Sequence, residues 1–167
     1  MVYNDVIMLN KNVNKHRCQR ENISKWITFE YERNTIKNVL LWKFPMFSGF
    51  YETHLPAGYL KSEFVEAWDN NYDVLDSVSR NKIRTNGDVS ENFIRYCQLA
   101  KGRFEPINKL KYGRYCSMKS KALPSYITSG KYKYICINDE DFGEPFRNVK
   151  AAFDLILPDI STFEKYI

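Results

Sequence analysis

The sequence predicts a helix-rich α/β fold, and three observations lead to this prediction. Apolar residues recur at helical spacing in several stretches, among them KSEFVEAWDNNYDVLDSVS and RNVKAAFDLIL. Few stretches alternate as strands do, and the clearest is KYKYICIN at 131–138. The chain has 167 residues and is 44% hydrophobic, which suffices for one core. We therefore expect 1–167 to be a single domain, or a fragment of a larger one, with an incomplete sheet.

The first half of the chain is predicted to be mostly helical. VYNDVIMLN at 2–10 alternates weakly and predicts a strand. Two helical patterns follow up to residue 43, with Ile36, Val39 and Leu40 on one apolar face. Residues 44–60 contain Pro and Gly breakers and predict a loop. Residues 61–79 predict one or two helices. The apolar residues expected to face inward there are Phe64, Val65, Trp68, Leu75 and Val78.

The second half begins with the helix that has the clearest boundaries. Asp88 is the expected N-cap, Glu91 stands at capping-box spacing, and Gly102 is placed to end the helix. Its expected buried stripe comprises Val89, Phe93, Tyr96, Cys97 and Ala100. YGRYCSM and KYKYICIN predict two strands, and RNVKAAFDLIL predicts a helix that Pro158 stops. The inward residues expected in that helix are Val149, Ala152, Phe153 and Ile156.

The formal charge of +5 is concentrated near the start of the chain. From Lys11 to Lys43 there are eight Lys or Arg residues against three Glu, which accounts for the whole net charge. This excess is typical of a solvated helical face, and it also suits an anionic partner. Because Trp26, Phe29, Tyr31 and Trp42 are interleaved with the basic residues, a nucleic-acid-binding module is one alternative function, although we expect no nucleic acid.

The four cysteines form no C-x-x-C pair, so the sequence predicts neither a zinc site of that type nor a disulfide framework. A reducing, cytoplasmic setting is the simplest expectation. No signal peptide or membrane-spanning run is recognisable, so we expect at most peripheral contact with the inner face of the membrane.

Two groups of residues in the middle of the chain are candidates for chemistry. His54 lies on the predicted loop, where a histidine serves either as a general base or as an ordinary surface residue. Arg80, Lys82 and Arg84 precede the predicted helix at 88–102. Guanidinium groups bind phosphate oxygens well, and the alternative for this cluster is an exposed basic loop.

A third candidate lies at the end of the strand at 131–138. Asn138 and Asp139 follow its hydrophobic residues, and open α/β folds bind ligands at the carboxyl ends of their strands. Carboxylates there hold Mg²⁺ or Mn²⁺, or orient a hydroxyl group. The alternative is an ordinary Asn-Asp turn.

Taken in order, these segments resemble the Stealth family. Residues 49–108 resemble its third conserved region, which contains an H-x-P segment, an F/I-R pair, "DV" and "RYxQL". Residues 131–167 resemble its fourth region, with an "NDD/E"-like strand end and a closing "S-x-FE" motif. Residues 1–48 resemble the basic helical segment that precedes the third region. The first and second regions are absent, so the chain resembles a C-terminal half.

The resemblance implies an activity and a fold. Stealth proteins transfer hexose-1-phosphate from a nucleotide-sugar to a sugar hydroxyl, usually with a divalent metal, in capsule and exopolysaccharide synthesis. Their core resembles a nucleotide-sugar transferase α/β fold. The implied partners are a nucleotide-sugar, a glycan acceptor and a missing N-terminal half. Without that half, the chain is alternatively a non-catalytic docking fragment.

The resemblance also assigns candidate roles to individual residues. His54 matches the H-x-P histidine, a base or phosphate contact, and Arg84 matches a phosphate-clamping arginine. Asp139 is the implied catalytic carboxylate and metal ligand. Asn138, Arg80 and Lys82 complete the expected substrate- and phosphate-binding set. The roles of Arg95 and Gln98, which match "RYxQL", stay open.

Overall fold

The computed structural model describes residues 2–138, 143–159 and 161–162. The chain forms two compact units. The first unit comprises Met1–Tyr51 and Ala57–Ile107, and the second comprises Glu52–Pro56 and Asn108–Ile167.

Helices dominate the described part of the chain. The α-helices are α1 Val2–Asn12, α2 Lys15–Glu21, α3 Ile23–Trp26, α4 Arg33–Leu40, α5 Lys61–Ser79, α6 Glu91–Ala100, α7 Leu123–Thr128 and α8 Glu144–Ile156. Short 3₁₀ helices span Phe29–Tyr31, Leu41–Lys43 and Lys109–Lys111. Two strands, β1 Gly113–Ser117 and β2 Tyr134–Asn138, pair in parallel.

The core of the first unit is built around α6. All five residues of the predicted stripe are buried, and Phe93, Tyr96 and Ala100 are fully enclosed. Aromatic rings continue this core, because the ring of Phe50 lies 4.9 Å from that of Tyr96 and the Phe47 ring lies 5.5 Å from that of Trp26. The stripe prediction is therefore confirmed.

The strand predicted at 2–10 is wrong, because these residues form helix α1. Asp5 and Leu9 are one helical turn apart, and both are completely buried. The Asp5 carboxylate accepts hydrogen bonds from the backbone N–H (2.6 Å) and the hydroxyl (2.7 Å) of Ser90. The helical pattern was not recognised because an aspartate is normally expected at the surface, whereas Asp5 is buried against a distant partner.

The N-cap of α6 is Ser90 rather than the expected Asp88. The Ser90 hydroxyl accepts the N–H of Asn92, whereas the Asp88 carboxylate is occupied by the preceding turn. The C-terminal prediction is confirmed: Gly102 has a φ of +70°, and the N–H of Arg103 bonds the carbonyl of Gln98.

Helix α5 is bent at Asn71, whose backbone is non-helical. The prediction of one or two helices at 61–79 is thus confirmed. The predicted inward face is only partly correct: Leu75 is buried, but Phe64 and Val65 are exposed.

The second unit is a strand–helix–strand arrangement followed by α8. In the register of β1 and β2, Gly113 lies opposite Tyr134 and Ser117 lies opposite Asn138. Its core consists of Cys116, Met118, Leu123, Ile127, Val149 and Ala152. Both strand predictions are confirmed, as is the helix before Pro158, although Phe153 and Ile156 remain exposed.

The predicted α/β class is confirmed as a helix-rich chain with a small parallel sheet. Within the described ranges, no helix has the length and apolar character needed to span a membrane. All four cysteines are free.

Candidate functional site

The two-stranded sheet of the second unit has two different faces. Ile135 and Ile137 pack against the core formed with α7 and α8. Because side chains alternate along a strand, Tyr134, Cys136 and Asn138 lie on the opposite face. Their register partners Gly113, Tyr115 and Ser117 lie on that face too. We call it the outer sheet face.

His54 is held on the outer sheet face. Its ring lies 4.8 Å from the ring of Tyr115, at an angle of 31°. His54 also adopts a φ of +52°, in the left-handed region that residues other than glycine rarely occupy. The side chain is exposed, so a ligand in solvent can reach it.

The residues after His54 explain how this backbone conformation is maintained. Leu55 is buried over Gly113, where an added Cβ would lie only 2.9 Å from a Leu55 methyl group. The Nζ of Lys109 donates a 2.9 Å hydrogen bond to the Pro56 carbonyl. The C-terminal side of the His54 turn is therefore anchored to the rest of the second unit.

Asn138 is the last residue of β2 and pairs with Ser117. Its carbonyl accepts the N–H of Met118 at 3.2 Å, which ties the ends of both strands together. His54 contacts Tyr115, two residues before Ser117 in β1, so the fold brings His54 and Asn138 onto one small sheet face. Asp139, Glu140 and Asp141 lie outside the described residues.

The expected metal site depends on Asp139, so its fit rests on a residue that the structure does not describe. Among residues 2–138, 143–159 and 161–162, no group of three or more His, Cys, Asp or Glu side chains could hold a metal ion.

Arg80, Lys82 and Arg84 belong to the first unit and lie on an exposed loop between α5 and α6. Asp88 fixes the shape of this loop: its carboxylate accepts the N–H and the hydroxyl of Thr85 at 2.8 and 2.6 Å, and the Asn81 amide at 2.9 Å. The hydrogen bonds from Thr85 lower the pKa of Asp88 below its usual value. Asp88 is thus ionised and keeps the basic loop in a defined shape.

The three cations of this loop differ in their local partners. Arg80 forms two hydrogen bonds with Asp76, at 2.9 and 3.2 Å, one helical turn away. Arg84 acts electrostatically on Asp88, two residues before the Ser90 cap. A phosphate would compete with Asp76 for Arg80, so Arg84 is the better candidate for a clamp.

Gln98, whose role the sequence left open, is buried and bonds the backbone of two segments. Its Oε1 accepts the N–H of Leu60 at 2.9 Å, and its Nε2 donates to the carbonyls of Gly58 and Arg103 at 3.4 and 3.1 Å. It therefore fixes the start of α5 against the end of α6. Neither the burial of Gln98 nor these partners could be predicted, because Gln98 lies outside the predicted stripe.

An ion cluster between α5 and α6 was also missed. Glu63 is fully buried and pairs with Lys101 (3.1 Å) and Arg103. Glu66 pairs with the same two cations, at 2.7 and 3.0 Å. Glu63 and Glu66 are three residues apart, a spacing that could have suggested one shared face, but the chain gives no signal for their distant partners.

Comparison with known proteins identifies relatives over nearly the whole chain. It is 32% identical over 99% of its length to the capsular polysaccharide phosphotransferase WcwK of Streptococcus pneumoniae, covering 51% of that protein. It is 29% identical over 99% of its length to an exopolysaccharide phosphotransferase of Lactiplantibacillus plantarum, covering 50% of it. It is 30% identical over 91% of its length to the receptor polysaccharide phosphotransferase WefC of Streptococcus gordonii, covering 48% of it.

The chain is therefore a relative of the capsular and exopolysaccharide phosphotransferases, which confirms the relationship predicted from its motifs. It spans about half the length of the curated relatives it matches. No family model matches the chain. No solved structure matches it either.

Proposed function

We propose that this chain is half of a sugar-phosphate transferase that acts in capsular or exopolysaccharide synthesis. The enzyme moves hexose-1-phosphate from a nucleotide-sugar to a hydroxyl group of a glycan acceptor. The observation that carries the proposal is the relationship to named polysaccharide phosphotransferases over 99% of the chain. The small parallel sheet is part of a nucleotide-sugar transferase-like fold that the other half completes.

The reaction needs a base and charge neutralisation more than unusual chemical groups. The acceptor oxygen attacks the phosphorus bonded to the sugar, and the bond from that phosphorus to the bridging pyrophosphate oxygen breaks. A phosphodiester forms and a nucleoside monophosphate leaves. His54 takes the proton from the attacking hydroxyl, a role that its exposed, anchored position on the outer sheet face supports.

The family motifs also support roles for the cations of the first unit and for the strand end of the second unit. Arg84 clamps the transferred phosphate, with Lys82 and Arg80 as further phosphate contacts. Asn138 binds substrate next to His54. Asp139 is the proposed catalytic carboxylate and would hold Mg²⁺ or Mn²⁺, whose positive charge would offset the negative charge of the pyrophosphate.

Single substitutions test this assignment in the chain combined with the half of the pneumococcal relative that it does not match. We expect His54→Ala and Arg84→Ala each to lower transfer by about 100-fold, the usual effect of losing a base or a charge-stabilising group. Asp139→Asn should behave similarly, and chelation with EDTA should stop transfer until Mg²⁺ is restored. His16→Ala is the matched control and should transfer normally. Wild-type rates in all three site variants would refute the assignment.

The reducing cytoplasm is the proposed compartment. All four cysteines are free, as is usual for proteins of a reducing compartment.

Helix α4 supports a second candidate function, the docking of a partner segment. Its residues Ile36, Val39 and Leu40 form one apolar face and are 62%, 50% and 70% exposed. The helix turns its polar side to the first unit instead: Asn38 donates to the Trp26 carbonyl at 2.8 Å. An ordinary surface helix buries its apolar face and exposes its polar face, and α4 does the reverse.

The proposed occupant is the segment that corresponds to the unmatched half of the relatives. The chain accounts for only about half of their length, so a further segment of similar size exists in each of them. Buried Lys15 holds the turn that follows α4, because it donates to the carbonyls of Leu41 and Phe44 at 2.5 and 2.8 Å. The face is thus a defined surface rather than a frayed terminus.

Gel filtration of the chain mixed with the unmatched half of the pneumococcal relative tests the docking. We expect a 1:1 complex that Leu40→Glu disrupts and that Tyr3→Glu, another exposed position in the same unit, does not. Absence of any complex, or equal binding by both variants, would refute it. Binding of single-stranded nucleic acid is less well supported, because Trp26 lies in the core and the Tyr31 hydroxyl donates to the Lys25 carbonyl.

A further inference from the structure

A cleft of about 340 Å³ opens in the second unit where β1 ends and α8 begins. One wall is the segment 118–121, which follows β1 directly. The other walls are Pro124 of α7 and the first two turns of α8. The cleft therefore lies at the carboxyl end of a parallel strand, on the side that carries the helices, where α/β units commonly bind ligands. Its volume suits a small molecule.

The cleft is lined by complementary polar groups that lie outside the motifs described above. Lys119 and Lys121 contribute positive charge, and Ser120 contributes a hydroxyl group. Glu144 and Asn148, one helical turn apart on α8, contribute a carboxylate and an amide. Lysines and a serine suit a phosphate, whereas a carboxylate and an amide suit the hydroxyl groups of a sugar.

The basic wall of the cleft is held in shape by hydrogen bonds to the strand ends. The Ser117 carbonyl accepts the N–H of Ser120 at 3.0 Å, and the Ser120 carbonyl accepts the N–H of Leu123 at 3.0 Å. Met118 is tied to the Asn138 carbonyl at 3.2 Å. A preformed wall reduces the entropy lost when a ligand binds.

We propose that this cleft binds a sugar phosphate, with Lys119, Lys121 and Ser120 on the phosphate and Glu144 and Asn148 on the sugar hydroxyls. The proposal rests on the proposed function, since it gives a transferase of sugar phosphates a second subsite. The cleft lies on the helix side of the sheet and is distinct from the outer sheet face that carries His54.

Titration of the ¹⁵N-labelled chain with glucose-1-phosphate, followed by NMR, tests the proposal. We expect shifts in the amide signals of the segment 118–121 and of the first turns of α8. Lys121→Gln should weaken binding about tenfold, as expected for the loss of one charge-assisted hydrogen bond. Lys131→Gln is the matched control: its Nζ lies 5.5 Å from the centre of the Tyr132 ring, away from the cleft lining, so binding should not change.

Two further variants separate the phosphate from the sugar contacts. Glu144→Gln should tighten binding of inorganic phosphate, because it removes a negative charge, and should tighten binding of glucose-1-phosphate less, because the sugar hydroxyls lose a charged acceptor. Asn148→Asp should weaken both, because it adds a negative charge, and it serves as the second test if Lys121→Gln does not fold. Shifts confined to other parts of the chain, no binding, or wild-type affinity in the Lys121→Gln and Asn148→Asp variants would overturn the proposal.

The nucleotide arm of the titration uses uridine monophosphate. Weaker binding of uridine monophosphate than of glucose-1-phosphate is expected, and the reverse order would overturn the assignment to a sugar phosphate. Transfer is measured separately on the chain combined with the unmatched half of the relative. Binding without transfer would count against the proposed function alone, and transfer without binding would overturn only the cleft.

Discussion

Single residues decide whether His54 can hold its position. The left-handed backbone at His54 costs free energy, which the packing of Leu55 over Gly113 offsets. Gly113 is needed because of this close approach and not because of its own backbone angles. The sequence shows a glycine at the start of a strand, but nothing in it indicates that a leucine 58 positions earlier fills the space.

Gly113→Ala is expected to destabilise the second unit by about 1–3 kcal/mol, the usual cost of overpacking. The added methyl group would lie 2.9 and 3.0 Å from the two Leu55 methyls and 3.3 Å from the Tyr134 carbonyl oxygen. Urea unfolding measures the change. Gly58→Ala, with nothing within 4 Å, is the control. In a Leu55→Ala background the substitution should cost much less, and an unchanged cost would contradict the proposed contact.

Two buried acids should affect the pH dependence of stability with opposite signs. Desolvation raises the pKa of Asp5 despite its bonds to Ser90, whereas bonds from Thr85 lower the pKa of Asp88. The contribution of Asp5 is therefore complete below its unfolded pKa of 3.8 and is lost as the pH rises through its raised folded value. The contribution of Asp88 is present above 3.8 and is lost as the pH falls through its lowered value.

These signs can be measured as the free energy of unfolding of the wild type minus that of the variant. As the pH rises from 3 to 7, the difference should fall for Asp5→Asn and should rise for Asp88→Asn. Chemical denaturation at a series of pH values tests this. Parallel curves for the two variants would show that the assigned causes are wrong.

At the scale of elements, the first unit depends on the junction between α5 and α6. Glu63 at the start of α5 meets Lys101 and Arg103 just after α6, and Gln98 bonds the Leu60 backbone beside them. Four charges balance there, so the buried carboxylate keeps its partners.

Glu63→Gln is expected to lower the free energy of unfolding by about 2–4 kcal/mol, because Lys101 and Arg103 lose their buried carboxylate partner. Glu66→Gln, with the same partners but a half-exposed side chain, should cost less than about 1 kcal/mol. Thermal or urea unfolding of both variants measures the contrast. Equal losses would show that burial of Glu63 does not govern the cluster.

Elements with a strong local signal were predictable, and elements defined by distant partners were not. The helical spacing of apolar residues predicted the buried stripe of α6, and Gly102 predicted its end. The alternation of apolar and polar residues predicted β1 and β2. Helix α1 was mistaken for a strand because its buried Asp5 is satisfied by Ser90, 85 positions away. Ile36, Val39 and Leu40 share the expected apolar face of α4, but the sequence does not show that this face is exposed while Asn38 and Thr35 bond the first unit.

The candidate site was predictable in part for the same reason. The positions of His54 and Asn138 on one sheet follow from the parallel pairing of β1 and β2, which the sequence did not specify. The cleft beside Lys121 needs the packing of α7 and α8, which no local pattern records.

At the scale of the whole molecule, three features support the proposal that the chain is one half of a larger enzyme. It matches about half of each relative, its sheet has two strands among the described residues, and α4 turns an apolar face outward. Parallel sheets are normally covered on both faces, so a two-stranded sheet with an accessible outer face suits completion by another segment.

The most direct test of this account is ³¹P NMR of the chain mixed with the unmatched half of the pneumococcal relative, a nucleotide-sugar and a glycan acceptor. The account predicts a new phosphodiester signal and an equal amount of nucleoside monophosphate, both dependent on the two halves together. Formation of a complex without any phosphodiester, under conditions where the intact relative makes it, would contradict the claim that this chain carries half of a sugar-phosphate transferase.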